Sequence, residues 1–378
     1  MFTSHDGDPT GPTVRICLFD DVARGHHGPY LSGLVKATAE CVDYVLVASP
    51  EPVPELHEGA GRWLPVTRTR HRQVIAGRRT LEQVTDIARA EDIDIFFDLN
   101  LDKTIWSWPR GGARPARTIH VLHHAHHYVD DRRGLARLRT FSARKRLLSW
   151  VERGEKVAVH TLRAFEILAD FLPQEMIVRI GYPIGAGSST EYPSADETSD
   201  PRRLLFVGQV RVEKGAGVLV EALRWLPDDI EVVFVGPQNP SRRAELESHG
   251  DASRITWIDR YVSDAELARS ISGAALVVLP YLSSFGRHGG ASGALLDTLA
   301  HGRPLVTTSA LAPQLPSGYE GAVVVEPGDA RSLADGIMSG LSDLVELSRR
   351  AESQGPAFIR DRHSFEGYVR ALLASDAG

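Results

Sequence analysis

Leu204-Leu-Phe-Val-Gly-Gln-Val-Arg-Val-Glu-Lys-Gly-Ala-Gly-Val-Leu-Val-Glu-Ala-Leu223 decides the fold. Four apolar residues, too few for a helix, suit a buried strand. The chain turns at Gly208 and resumes beyond Gly215 with apolar residues at helical spacing. Strand, glycine turn, basic residue and helix make the first half of a parallel βαβ unit. Such a turn offers backbone N–H groups and a positive dipole end to an anion. Lys214 is the only lysine after Lys156 in a chain whose positive charge is almost wholly arginine. An ammonium reaches one phosphate oxygen as a compact point charge, which a guanidinium does not reproduce.

The same alternation extends in both directions. Downstream, Ile230–Val235, Ile255–Ile258, Leu276–Leu279, Pro304–Thr308 and Ala322–Val325 are strand candidates, with helices at Gly217–Arg224, Asp264–Ile271, Ala294–Ala300 and Ala330–Leu341. Upstream, Val14–Phe19, Val42–Ala48, Ile93–Phe97, Ala116–Leu122 and Lys156–His160 are strand candidates, with helices at Tyr30–Ala39 and Thr80–Ala90. Strands alternating with helices imply parallel sheets. Residues 185–201 are rich in Gly, Ser, Thr, Asp and Glu and read as a linker. The expected organisation is a first Rossmann-like domain over 1–184, this linker, a second over 202–363, and a helical segment over 364–378 that packs back on the first. Two doubly wound domains of this α/β class are expected to face each other across an interdomain cleft, because ligands of open parallel sheets bind outside the carboxyl ends of the strands.

Composition bounds the function. The 378 residues suit two domains, and 42% hydrophobic with 24% charged residues is ordinary globular usage. A formal net charge of −6 argues against broad nucleic-acid binding. Cys17 and Cys41 are the only cysteines and read as small packed residues, not a disulfide framework or a zinc site. The first residues lack the basic and apolar regions of a signal peptide, and no apolar run approaches the ~20 residues that span a bilayer. The expectation is a cytoplasmic protein without stable membrane insertion, peripheral contact staying open.

A second glycine-rich turn lies some eighty residues on. In Gly289-Gly-Ala-Ser-Gly-Ala-Leu-Leu-Asp-Thr-Leu-Ala300 the glycines let backbone N–H groups approach an anion, and Ser292 suits a helix cap. With both segments read, the chain resembles the retaining, nucleotide-sugar-dependent glycosyltransferases of family 4, which have the GT-B fold. The likeness is specific from about Arg203 to Ala330 and loose in the first half.

The resemblance implies roles. Arg211, Lys214 and the Gly208 turn would hold the donor diphosphate, together with Gly289, Gly290, Ala291, Ser292 and Gly293, while His288 or Arg287, or the glycine N–H groups, would stand in for an acid the motif lacks here. Asp297 stands where the family has the second glutamate of its Glu-x7-Glu motif and would accept hydrogen bonds from the donor ribose. The first glutamate of that motif falls at Gly289 and is absent. The nucleobase would lie near Arg260, Tyr261 and Val262, with nothing selecting uracil over guanine. The implied co-substrate is a UDP- or GDP-linked sugar, with no other cofactor and no catalytic metal.

Histidines crowd the first half. His120, His123, His124, His126 and His127 follow one strand candidate, and Gly25-His26-His27-Gly28 follows another. Metal binding is the competing reading, but no Cys or carboxylate nearby completes a set. By resemblance, Gly25 and Gly28 would approach the donor, and His123 or His124 would face the transferred sugar. Arg132, Arg133, Arg137, Arg139, Arg144, Lys145 and Arg146 lie among leucines at helical spacing, a solvated helix face or a dock for an anionic or lipid-linked acceptor. Trp106, Trp108 and Trp150 suit either sugar stacking or core packing.

The expected activity is transfer of a hexose-type sugar from a nucleotide diphosphate to a hydroxyl acceptor, a glycan or a small molecule, with retention. Were the product inverted, His26 or His27 would be the general base. A sugar-nucleotide epimerase, a pseudo-sugar coupling enzyme and a non-catalytic partner subunit share the fold and stay open.

Overall fold

The computed structural model describes residues 14–22, 27–39, 41–57, 59–67, 74–109, 114, 117–129, 134–185 and 200–375. Gly25, His26, Arg132, Arg133 and most of the 185–201 linker lie outside them. The chain forms two compact units. One holds residues up to His160, Phe165–Ile180 and the chain from Tyr368; the other holds Thr161–Ala164 and Gly181–Gly367.

The first unit is a seven-stranded parallel sheet of β1 (Arg15–Phe19), β2 (Tyr44–Ser49), β3 (Gly61–Pro65), β4 (Ile95–Asp98), β5 (Arg117–Leu122), β6 (Lys156–Val159) and β7 (Ile177–Arg179). Its order is β3-β2-β1-β4-β5-β6-β7. The second is a six-stranded parallel sheet of β8 (Asp200–Val207), β9 (Glu231–Val235), β10 (Ile255–Ile258), β11 (Ala274–Leu279), β12 (Leu305–Thr308) and β13 (Ala322–Val325). Its order is β10-β9-β8-β11-β12-β13, the doubly wound order in which the chain reverses direction beside the first strand.

Burial follows from helices covering both faces. Ala274–Leu279 is buried at all six positions, so the strand reads as an unbroken apolar run. Along β8 the pleat divides the side chains: Leu204 and Phe206 join one core with Leu219 and Val278, while Leu205 and Val207 join the other with Val277 and Leu295. Trp108 and Trp150, open candidates for sugar stacking, are fully buried core residues of the first unit.

Several elements lie outside the sequence reading. β3 and β7 are short edge strands, only partly buried, and Gly61 and Pro65 bound the former. Helices also form at Leu162–Ala169 and Leu344–Arg362. The C-terminal helix, Phe365–Ala374, seats Tyr368 and Leu372 in the first unit, where the Tyr30 hydroxyl donates to that of Tyr368 at 2.9 Å. The Lys156 ammonium donates to the Ser375 carbonyl.

Candidate functional site

In the second unit the order reverses between β8 and β11, so the crevice at a parallel sheet's switch point lies beyond their carboxyl ends. Both glycine turns begin there. The first loop is locked to the chain after β11: the Leu282 N–H donates to the Glu213 carbonyl at 2.9 Å. Gly215 has φ +70°, and the Pro280 carbonyl fills the place of a Cβ, so only glycine fits.

Lys214 lies across this turn. A Cβ on Gly208 would stand 2.8 Å from its Nζ, and the ammonium sits 5.6 Å from the centre of the Tyr281 ring. Among the described residues that ammonium has no hydrogen bond or ion pair. Burial, then the like charge of Arg211, lowers its pKa to about 8, with Glu213 opposing. Arg211 is half exposed, its Nε 3.3 Å from Glu213. Gln238, after β9, braces the turn: its amide donates to the carbonyls of Gly208 at 3.2 Å and Gly236 at 2.7 Å, and its oxygen accepts from the Val210 N–H at 2.7 Å.

The second loop has a brace of its own. Gln314 accepts from the Ser292 N–H at 2.9 Å and donates to the Gly290 carbonyl at 2.9 Å. The Ser292 N–H is therefore spent inside the protein. Its hydroxyl caps helix Gly293–Ala300 by accepting from the Leu295 N–H at 3.3 Å. The amides of Gly290, Ala291, Gly293 and Ala294 make no hydrogen bond among the described residues, so they are the donors left for an anion. Gly289 has φ +70°, and a Cβ there would come within 2.6 Å of the Ala164 nitrogen. A glutamate, which the resemblance would lead one to expect here, does not fit this backbone. The Gly289 carbonyl accepts from the Thr161 hydroxyl at 2.6 Å. His288, half buried, ends the short helix just before Gly289.

Asp297 lies one turn into that helix, half buried, its carboxylate without a hydrogen bond or ion pair among the described residues. Burial, then repulsion by Asp264, raises its pKa to about 7. An acid held unpartnered beside helix-terminal amides is suited to accept from ligand hydroxyls. Arg260, by contrast, is engaged with Glu266 at 2.6 Å, in the capping box that Ser263 opens, and Tyr261 is 76% exposed.

The first unit gathers a second set of polar groups at the carboxyl ends of β1, β4 and β5. His27 begins helix His27–Thr38, and its Nδ1 lies 2.8 Å from Asp20, just beyond β1. Both are buried. Gly28 follows on the exposed side of that helix with nothing near the position of a Cβ. Asp102 accepts from the N–H groups of His123 and His124, each at 2.9 Å, and so pins the histidine loop. His123 Nε2 lies 2.9 Å from the Leu99 carbonyl, its ring against Tyr30 and His160. His124 is exposed. His120 is structural. It is fully buried between Asp98 at 3.0 Å and Glu155 at 2.8 Å, and these hydrogen bonds, against the burial, raise its pKa.

The sequence reading missed Gln238 and Gln314 as braces, and Asp20 and Asp102 as positioning acids. Asp20-Asp21 straight after one apolar strand and Gly236-Pro-Gln-Asn-Pro240 straight after another were the visible signals.

Residues 201–343 match the family model described as Glycosyl transferases group 1. Two curated proteins of Xanthomonas campestris pv. campestris, each named GDP-mannose:glycolipid 4-beta-D-mannosyltransferase, are 35% and 32% identical over 168 residues. That match covers 42% of this chain and 44% of theirs, so the chain spans less than half the length of the curated relatives it matches. Solved structures resemble nearly the whole chain. Sucrose-phosphate synthase from Thermosynechococcus elongatus superposes with TM-score 0.71 at 18% identity, covering 96% of this chain and 97% of that one. HepE from Anabaena, solved with UDP, gives 0.69 at 14% identity over 96% and 100%. The fold is therefore GT-B, built of two Rossmann-like parallel-sheet units.

Proposed function

We propose that this protein is a glycosyltransferase that moves a hexose from a nucleoside-diphosphate sugar to a hydroxyl acceptor. One observation carries the reading: two braced loops at the β8/β11 switch point present a lysine, helix-terminal amides and Asp297 that have no partner among the described residues. Arg211 and Lys214 would neutralise the departing diphosphate, and Asp297 would hold the ribose. Donors fixed where charge develops are worth on the order of 3 kcal/mol each in a transition state. No resident metal or other cofactor enters this reading. The names of the Xanthomonas relatives favour a GDP-linked mannose donor and a lipid-linked glycan acceptor for this chain too. A cytoplasmic location accords with a nucleotide-sugar co-substrate.

Two stereochemical courses are in play. In retention, the departing phosphate takes the acceptor proton on the face it leaves. In inversion, a general base takes it on the opposite face. The His27–Asp20 pair favours the second course: Asp20 orients the imidazole through Nδ1, as a positioned general base requires. A β-mannoside made from an α-linked donor, as the relatives' names would require of such a donor, is also an inverted product.

Calorimetry with GDP, UDP, ADP and TDP tests the donor site. Micromolar binding of one nucleotide, weakened at least tenfold by Lys214→Ala, is the expected result. Binding of none of them would remove the donor assignment and favour the non-catalytic reading. The anomeric configuration of the product, read by NMR, decides between the two courses. Inversion with activity lost in His27→Ala assigns the base, while retention with activity kept in that variant excludes it.

A further inference from the structure

Gln238 braces the first anion-holding loop and Gln314 the second, and among the described residues neither bonds to the other loop. Tyr281, just beyond β11, stands between the two. Its backbone is nailed to the end of β12. The Thr308 hydroxyl donates to the Tyr281 carbonyl at 2.6 Å, and the Thr307 hydroxyl to the Leu279 carbonyl at 3.0 Å. The Tyr281 N–H donates to that same Leu279 carbonyl at 2.9 Å. Both threonines are buried, so water does not compete for these bonds. On either side of Tyr281, the Pro280 carbonyl seats Gly215 and the Leu282 N–H holds the Glu213 carbonyl.

The side chain of Tyr281 is fully buried and meets both loops. Its ring centre lies 5.6 Å from the Lys214 ammonium of the first. Its hydroxyl oxygen accepts from the Ser292 hydroxyl of the second at 3.2 Å. Ser292 in turn accepts from the Leu295 N–H, so this cap is fixed at both ends, and with it the start of helix Gly293–Ala300. Phe285 packs against the same ring, 4.4 Å between centres. Core packing does not account for this residue. Phenylalanine would fill nearly the same volume without a hydroxyl that must find a partner when buried. Nor does packing call for an ammonium over the ring, whose negative face attracts a cation. Burial keeps the phenol neutral, its pKa pushed up to about 12.

We infer that Tyr281 is a positioning residue that holds the Lys214 loop and the Ser292 loop at one spacing, so that together they grip a diphosphate and discriminate it from a monophosphate. The two phosphoryl groups of a diphosphate share a bridging oxygen, which fixes their separation. Loops held at a matching spacing meet both groups without reorganising. A monophosphate needs one loop only and is indifferent to the distance between them. The inference rests on the donor-site reading for the identity of the anion, and not for the contact between Tyr281 and Lys214.

Calorimetry with GDP, GMP, UDP and UMP tests it in Tyr281→Phe and Tyr281→Leu. The unsubstituted protein should prefer a diphosphate over its monophosphate by about tenfold or more. Tyr281→Leu should lose about tenfold in diphosphate affinity and keep monophosphate affinity within about threefold, while Tyr281→Phe, which retains the ring, should lose only about threefold for the diphosphate. The Lys214 amine, titrated by NMR without ligand, should keep its pKa in Tyr281→Phe and depart from it in Tyr281→Leu. An undiminished preference for the diphosphate in Tyr281→Leu overturns the inference. So does an equal loss for both classes of nucleotide, the mark of a core that has merely loosened. If the leucine variant does not fold, Tyr281→Phe decides: a loss confined to the diphosphate supports the link, and no change overturns it. A protein that binds no nucleotide yet shows the Lys214 shift loses the donor site and keeps Tyr281 as the support of that loop. Without the shift, both fall.

Discussion

Asp297 and Lys214 are both held away from their ordinary protonation, in opposite senses. Burial raises the Asp297 carboxyl to about 7, and burial beside Arg211 lowers the Lys214 ammonium to about 8. A carboxyl whose folded pKa exceeds its unfolded value binds its proton more tightly when folded. The stability it contributes is thus complete at acid pH, declines as pH rises from about 4, and is gone above about 7. Asp297→Asn should therefore stabilise the empty protein at pH 8, by about 2 kcal/mol for a half-buried group, while nucleotide affinity falls. Chemical denaturation checks the first effect, and no gain at pH 8 would contradict the assigned environment. Binding should move protons as well. Ribose hydroxyls favour the carboxylate, so Asp297 releases a proton near pH 6.5. A diphosphate favours the ammonium, so Lys214 takes one up near pH 8.5. Calorimetry in two buffers of different ionisation enthalpy reads the sign at each pH, and equal heats throughout would exclude both contacts.

The loops show why helices and strands alone do not make the site. Their glycines were legible in the sequence, because Gly208 ends an apolar strand run and Gly289-Gly290 stand just before an apolar helix run. The braces were not. Gln238 and Gln314 are ordinary polar residues in the chain, and only the fold brings them to Gly208 and Gly290. β3 and β7 escaped for a related reason: an edge strand is half solvated and needs no apolar run. Two substitutions probe the loop after β11. Gln314→Leu leaves the Ser292 N–H and the Gly290 carbonyl unpaired and should weaken nucleotide binding about tenfold, with a smaller loss of stability. Gly289→Glu supplies the acid that the resembled motif carries yet forces a side chain onto φ +70° against Ala164. It should cost about 3 kcal/mol of stability and bring no gain in turnover. A more active Gly289→Glu enzyme would refute the steric explanation for the glycine.

Over the whole molecule, each unit has its own parallel sheet and covering helices, and the C-terminal helix lends Tyr368 and Leu372 to the first. Separate cores unfold as separate steps when nothing else couples them. A nucleotide held by the second unit should then raise one calorimetric transition and leave the other in place, by about 3 kcal/mol at a hundredfold excess over Kd. Equal displacement of both transitions would mean that the ligand is shared. The alternation of strands and helices was readable over both halves because parallel strands covered on both faces are apolar throughout. The buried polar groups of the first unit were not readable in that way. Asp98, His120 and Glu155 are far apart in sequence and meet only because β5 lies between β4 and β6.

The scarcity of lysine has a practical outcome. Of the five lysines, Lys214 is the only one in the second unit, and its pKa of about 8 leaves a usable fraction of neutral amine at mild pH. An acylating or reductively alkylating reagent applied at pH 8 should therefore tag that unit once, at the centre of its crevice. Peptide mass spectrometry would show the tag and its disappearance when the correct nucleotide shields the amine. The protein thus carries a built-in chemical footprint by which a library of sugar nucleotides can be screened before any acceptor is known.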